Sequence, residues 1–478
     1  MKTFLRFFSV AVAACLWLCG SASVLAQPKG PVYNNVRYDD DYSFLNNGGS
    51  RGRDPFNQLK KIPVGSNVEL TFGGHYRFRY ENDRNRRFGA PVSPTLEPSQ
   101  SVLLNRAFLF ADMQIASRFR LFGEFKYAGI SYSDPVRNNL PVPVTAKDEP
   151  DLQNLFADIW LVKNEKAKLG LRAGRQEMQF GKQRLISPLD WVNTRRTFDA
   201  YRLMTTIKGW KADAFFAKPL DFDPENVNKA DESRVFAGVY LQRPAKGKTY
   251  SAYYLALKED DPLIRNGQGA PGDYFYHTLG LGFDGGARNL DWTTEAAYQF
   301  GDFGGDQIDA YMLSFEGGYT FAKLGIKPRV GLGFDVASGD KNPADSHKQT
   351  FNQLFPLGHA FFGWADQVGR QNIRAWSLLL SAKPHQRLVA KLNGFKFDLD
   401  QRRDALYNAG GAPIRTAASG AAGYEAGHEI DAEIAFTVNT HASVMIGYAR
   451  FMPGDFIKNS GALAKTHNLF YVMVPVKF

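Results

Sequence analysis

The sequence predicts an all-β fold, a transmembrane antiparallel β-barrel of about eighteen strands with short periplasmic turns and long extracellular loops. Three observations predict it. A secretory leader opens the chain, alternating segments of membrane-crossing length fill it, and a strand with an aromatic last residue closes it.

Residues 1–26 carry Lys2 and Arg6, then an apolar run from Phe7 to Leu18, then small residues leading to Val24-Leu25-Ala26. This is the pattern of a signal peptide cleaved after Ala26. Lipidation at Cys19 is disfavoured because bulky Leu18 stands where a small residue is needed. Cys15 and Cys19 are the only cysteines, so the mature chain is expected to hold no disulfide and no thiolate metal ligand. Residues 27–67 read as a periplasmic lead-in, with the acidic run YDDDYSFLNN solvated, and residues 68–478 as the barrel. No later stretch has the roughly eighteen apolar residues of a spanning helix.

The clearest strand is VELTFGGHYRFRYE, where Leu70, Phe72, Tyr76, Phe78 and Tyr80 share one face and Thr71, His75, Arg77, Arg79 and Glu81 the other. That period suits a sheet with lipid on one side and water on the other. Similar segments are expected at 68–81, 103–116, 118–130, 152–164, 167–177, 198–208, 210–218, 232–243 and 248–258. The second half follows at 274–284, 290–300, 308–321, 326–337, 373–383, 386–398, 425–438, 441–451 and 466–478. The count is even, as a closed bacterial barrel requires.

Connection lengths test this independently. Those after even strands are short, as at Ser117, 164–166, Gly209 and 439–440, while those after odd strands are mostly long, including 82–102, 131–151, 178–197, 338–372, 399–424 and 452–465. A barrel with both termini in the periplasm alternates in this way, and a soluble sandwich or propeller has no reason to. In NLFYVMVPVKF, Phe470, Val472, Val474, Val476 and Phe478 line one face of the closing strand. Aromatics near strand ends (Tyr80, Tyr127, Trp160, Trp210, Trp292, Tyr448, Tyr471) suit interfacial girdles. The 45 glycines and 14% aromatic content fit short alternating segments better than an apolar core.

A barrel of this size encloses water, so function depends on the inward residues. Without Lys2 and Arg6 the formal charge falls from +10 to +8, which either lipid attraction or a channel role would explain. Position says more. Phasing puts Arg77, Arg79, Arg106, Arg120, Lys126, Lys168, Arg172, Arg202 and Arg234 inward in the early strands, opposed there by Glu81, Asp112, Glu124 and Asp158. In later strands Asp291, Glu295, Glu316, Asp335, Glu429, Asp431 and Glu433 face Arg329, Arg387 and Lys391. The expectation is a basic arc, able to guide carboxylates or phosphates through several weak Arg sites, opposite an acidic arc. The alternative is that these charges are ion pairs holding the wall and folded-in loops.

Other chemistries find little support. The 8 histidines show no metal-ligand spacing, and no metal or other cofactor is expected. His441 and Ser443 lie two apart without a third group, so no enzyme is expected. Acids near Asp335, in SGD at 338–340, in DKNPAD and in HEID lack a calcium-loop spacing. No nucleic-acid partner is expected.

The segment LRAGRQEMQFGKQRLISPLDWVNTRRTFDAYRL, residues 171–203, resembles the alginate export family of outer-membrane proteins. LKKIPVGSNVELTFGGHYRFRYE, ASGDKNPADSHKQTFNQLFP, GHEIDAEIAF and IGYARFMPGDF resemble further family blocks, so the similarity runs from about Asp40 to Phe478. The resemblance implies an eighteen-stranded monomer in the outer membrane, among its lipid and lipopolysaccharide. It also implies an electropositive pore that exports an alginate-like polyuronate, and a periplasmic polysaccharide-secretion scaffold is a further implied partner. By motif it reaches Arg77 and Arg79, then Arg172, Arg175, Gln176, Arg184, Asp190, Arg196 and Asp199 around the third external loop, with Ala200 where the family usually has Gly. Uptake of small anions or oligosaccharides is the other channel reading, and the acidic later strands suit a polyanion less well than a uniformly basic lumen would.

Overall fold

In a computed structural model, residues 32–46, 54–90, 99–133, 143–260, 266, 269, 272–461 and 463–478 are described; the expected leader lies outside them. Eighteen long strands among the described residues run β1 (Val68–Arg84), β2 (Gln100–Ile115), β3 (Phe119–Tyr132), β4 (Asp148–Lys163), β5 (Ala167–Gln176) and β6 (Phe198–Ile207). They continue as β7 (Trp210–Asp221), β8 (Arg234–Ala245), β9 (Lys248–Glu259), β10 (Tyr274–Ala287), β11 (Leu290–Phe303) and β12 (Asp306–Thr320). The last six are β13 (Arg329–Ala337), β14 (Ile373–His385), β15 (Leu388–Leu399), β16 (Glu425–Thr437), β17 (Ser443–Pro453) and β18 (His467–Lys477). Each pairs antiparallel with the next, and β1 pairs with β18 from His75↔Lys477 to Arg84↔Asn468, so the sheet closes without an edge. Closure lets the wall strands pair their backbone groups within the protein, which is what lipid demands.

Burial alternates along the strands in the phase the sequence predicts. Leu109, Phe125, Tyr201, Leu281 and Leu332 are exposed on the outside, and Phe108, Phe122, Phe236 and Leu255 are buried on the inside. An apolar side chain exposed in this setting is solvated by hydrocarbon. Tyr127, Trp210 and Tyr448 join that outer surface. Tyr471 does not: it is buried in the lumen and donates to Glu433 at 2.7 Å, because it occupies the opposite phase of β18 from Phe470.

Several strands outrun the expected segments at their external ends, β1 reaching Arg84 and β4 beginning at Asp148. The ladder continues above the bilayer, where outward positions turn polar and the alternation fades. The connection rule holds with one exception, a two-residue external turn between β11 and β12. Gly304 and Gly305 there have φ of +59° and +91°, the left-handed pair that a tight hairpin needs.

Gly174 of β5 also sits at positive φ (+124°), and a Cβ there would lie 2.3 Å from the Leu155 carbonyl oxygen. Gly174→Val should add about 1–3 kcal/mol of backbone strain on top of that clash. The expected outcome is a sharp fall in the folded, heat-modifiable band on cold gel electrophoresis; an unchanged folded fraction would show that β4 and β5 can separate there.

Candidate functional site

The strands bring Arg77, Arg79, Arg106, Arg120, Lys126, Arg172, Arg202, Arg234 and Arg329 to the lumen face. Asp291, Glu295, Asp335, Glu429 and Asp431 lie there too. Most of these charges are matched by a partner on the adjoining strand or on an inserted loop. Arg172 grips Asp158 with two bonds of 2.7 and 2.8 Å, and Arg120 reaches Asp112 at 2.8 Å. Lys126 meets Asp148 at 2.6 Å, Arg202 meets Asp213 at 2.8 Å, and Arg234 meets Glu259 at 2.7 Å. Arg329 bridges Asp291 and Glu316, Arg184 meets Glu295 at 3.3 Å, and Arg370 meets Asp335.

Two separate arcs of opposite sign therefore do not form as expected; cations and carboxylates interleave. Phasing strands one at a time gives the face of each residue but not its cross-strand partner, so Asp148, Asp213, Glu259 and Arg370 escaped that reading. Arg175 and Asp199 pair with each other at 2.9 Å, at adjacent β5 and β6 positions in phase with lipid-facing Leu171 and Tyr201. Gln176 is buried and donates to the Ala200 carbonyl at 3.1 Å, fastening the top of β5 to β6.

Three segments fill much of the interior. The third external loop, 177–197, folds inward, and its backbone carbonyls are held by wall guanidiniums. Arg77 donates to Asp190 O at 2.6 Å and Val192 O at 2.7 Å, while Arg106 donates to Asp190 O at 3.0 Å and to the Asp190 carboxylate at 2.6 Å. Arg79 donates to Trp191 O and stacks its guanidinium 4.1 Å from the Trp191 ring.

The external loop 338–372 meets this loop edge to edge. Ser187 N donates to Phe355 O, Phe355 N to Leu185 O, and Leu357 N to Gln183 O, at 2.9, 2.9 and 3.0 Å. Arg196, also from the resemblance, donates to Ser187 O at 3.1 Å and lies over Phe355, so it joins the two loops. Trp191 and His359 stack with centroids 3.7 Å apart. Around them Phe180, Ile186, Phe351, Phe355 and Phe362 pack with wall residues Phe198, Phe236 and Tyr240 into a buried apolar cluster. This core was not legible in advance, because only charges were phased inward; Phe198, Phe215 and Phe236 at inward positions were the available signal.

The third segment is residues 32–46. Its acids Asp39 and Asp41 are exposed, but Arg37, Tyr38 and Tyr42 are buried, so the run is not simply solvated. Arg37 donates to Gly74 O at 2.7 Å and Phe478 O at 3.0 Å, across the seam where β1 meets β18. Tyr38 donates to Glu177 O of the third loop and packs on Phe122 and Phe156. Arg195 of that loop returns a bond to Asn35 O at 3.0 Å.

Asp190 is the electrostatic centre of the clamp. Its enclosure in the lumen would push the carboxyl up, but Arg106, Arg195 and Arg77 outweigh this and hold it well below the usual carboxylate range. A depressed folded-state value means that its contribution is present above the unfolded pKa and lost only as pH falls through the folded one. Any change in single-channel conductance between about pH 7 and about pH 4, the ordinary Asp value, should therefore be the same in the parent and in Asp190→Asn; a step that the substitution removes would show that the carboxylate is not governed by the three guanidiniums.

Among the described residues, cavities of about 420 and 410 Å³ lie in the lumen on either side of the 359–361 tip of the second inserted loop. Lys182, Arg184 and Thr293 line the first; Arg329, Lys391 and Trp364 line the second. Glu429 and Asp431 take hydrogen bonds from Ala365 N (2.8 Å) and Trp364 N (3.2 Å), anchoring the loop between them and the wall.

The family described as alginate export matches residues 68–471. Crystal structures of Pseudomonas aeruginosa porin-like proteins share the architecture. OpdQ is 14% identical with a TM-score of 0.55, covering 86% of this chain and 97% of its own. OccD3 (OpdP) is 11% identical with a TM-score of 0.58, covering 88% and 94%. OpdK, solved with vanillate, is 11% identical with a TM-score of 0.53, covering 85% and 98%. No curated protein sequence matches.

Proposed function

The chain belongs to the alginate export family and is a channel of the bacterial outer membrane rather than an enzyme, and from that premise we propose that it passes an alginate-like anionic polysaccharide, guided passively by charge. The observation that supports this is which partner of two lumen ion pairs faces water. At Lys391–Glu433 the cation is 44% exposed and the carboxylate 5%; at Arg234–Glu259 the values are 30% and 9%. The pairs present their positive ends to the path and keep their negative ends in the wall, so a passing carboxylate meets cations first. Lys182, exposed in the first cavity, has no ion-pair partner among the described residues; Asp284, Asp291 and Glu316 share that lining. The order reverses at Arg329–Asp291 and where inserted loops meet charges, at Arg106–Asp190, Arg370–Asp335 and Arg184–Glu295, whose carboxylates are the more open partners.

In this reading the barrel works as a monomer among outer-membrane lipid and lipopolysaccharide, and receives polymer from a periplasmic secretion scaffold. A second reading, uptake of small anions or oligosaccharides, is favoured by the interior itself. The cavities suit a compact solute, whereas a polymer would have to displace the inserted loops. OpdK with vanillate is a fold relative whose crystal holds a small carboxylate.

Planar-bilayer recording with added polymannuronate or polyguluronate tests both. Polyuronate export predicts an anion-selective pore blocked by polymer from the periplasmic side. Block by short uronates alone would favour uptake, and a cation-selective pore indifferent to both would end the polyuronate reading.

A further inference from the structure

The outer surface of the barrel carries its own charge asymmetry, unrelated to the lumen. At the external ends of neighbouring strands, outward-facing basic side chains cluster: Arg374 on β14, Lys396 on β15, His428 on β16, Arg450 on β17 and, past Asn468 of β18, Arg84 on β1. Register brings them together. Lys396 is opposite His428, Ile430 is opposite Arg450, and Asn468 has Arg450 on one side and Arg84 on the other. With about 4.8 Å between strands, the Arg84 and Arg450 backbones stand about 10 Å apart, and Lys396 and His428 about 5 Å apart.

Each of these side chains is exposed. Among the described residues neither Arg84 nor Arg450 has an ion-pair partner, Arg84 bonding only to Asn82 at 3.1 Å. The acids that reach the cluster are Asp398, 3.3 Å from Lys396, Glu425, 3.4 Å from His428, and Asp400, 2.8 Å from Arg374. None of them touches the Arg84–Arg450 pair. Directly below, toward the bilayer centre, the same face is apolar and aromatic, with Trp376, Ile430, Tyr448 and Phe470 exposed. Elsewhere on the rim the sign changes, since β11 and β12 expose Asp302 and Asp309 at the corresponding height.

We infer that this face is a binding site for a phosphorylated glycolipid of the outer leaflet. Arg84, Arg450 and Lys396 hold its phosphates, and the acyl chains lie over the apolar wall beneath. Guanidinium groups bind phosphate through paired charge-assisted bonds, and neighbouring unpaired arginines are the arrangement that a multiply charged headgroup needs. The continuous apolar surface below selects a lipid over free phosphate. The long-loop end of the barrel places the cluster in the outer leaflet. Asp302 and Asp309 would repel the same headgroup, so the lipid is expected on one side of the barrel only.

The test uses the full chain purified in mild detergent, titrated with bisphosphorylated lipid A and with its dephosphorylated form, and read by native mass spectrometry. At about 1 kcal/mol for each basic residue near an anionic surface, the Arg84→Ser, Lys396→Gln, Arg450→Gln triple variant should bind bisphosphorylated lipid A about a hundredfold more weakly. A Lys218→Gln, Lys258→Gln control, which removes rim charges outside the cluster, should bind like the parent. Equal binding of the triple variant and the parent would overturn the proposal. So would equal binding of the two lipid forms to the parent, a comparison that needs no variant to fold.

Discussion

Replacing Arg77, Arg79 and Arg106 together with glutamine should open the pore, raising single-channel conductance severalfold and making loop 177–197 accessible to protease. The three guanidiniums hold the carbonyls of Asp190, Trp191 and Val192 against β1 and β2. Hydrogen bonds to charged groups contribute about 1.5–3 kcal/mol each, so the clamp is worth several kcal/mol, enough to shift a two-state loop from held to released. Arg106→Gln alone should do much less, because Arg195 still pairs with the Asp190 carboxylate at 2.8 Å. If the triple variant conducts like the parent, the loop is held by its contacts with Phe355 and Leu357 instead. Anion preference is a separate readout: these arginines are buried against the loop, so their loss is expected to change pore size more than selectivity.

The second large effect is expected at the other end of the lumen. Deleting residues 32–46 removes Tyr38 from its pocket between Phe122, Phe156 and the Arg172 guanidinium, and removes the Arg37 bonds across the β1–β18 seam. Loss of one such buried aromatic costs about 3–5 kcal/mol. The deleted barrel should lose its heat-modifiable band at a lower temperature and show larger, noisier openings, since Glu177 and Arg195 of the third loop lose their partners Tyr38 and Asn35. Tyr38→Ala should reproduce much of the loss in thermal resistance. An unaltered melting profile and conductance in both variants would mean that the segment rests on the barrel without bracing it.

These effects mark where sequence reasoning reached and where it stopped. The alternation in VELTFGGHYRFRYE, the spacing of the turns and the aromatic last strand are local signals, and a membrane wall obeys local rules. Arg77 and Arg79 could be assigned to the lumen for the same reason. Their roles as loop clamps could not, because Asp190 and Val192 lie more than a hundred residues away. The Arg184–Glu295 and Arg370–Asp335 pairs posed the same problem, each joining an inserted loop to the wall.

By itself the sequence determined a closed barrel of about eighteen strands, its orientation and the face on which most strand charges lie, since lipid and water impose a period of two on every strand; Arg387, expected inward, instead lies exposed in the turn before β15. Only the tertiary structure decided that the interior is largely filled by two external loops and the N-terminal segment, and that most lumen charges are paired. The physical reason is that an inserted loop has no period. Its place is set by which carbonyl meets which guanidinium and which ring meets which ring, contacts that exist only once the wall has closed around them.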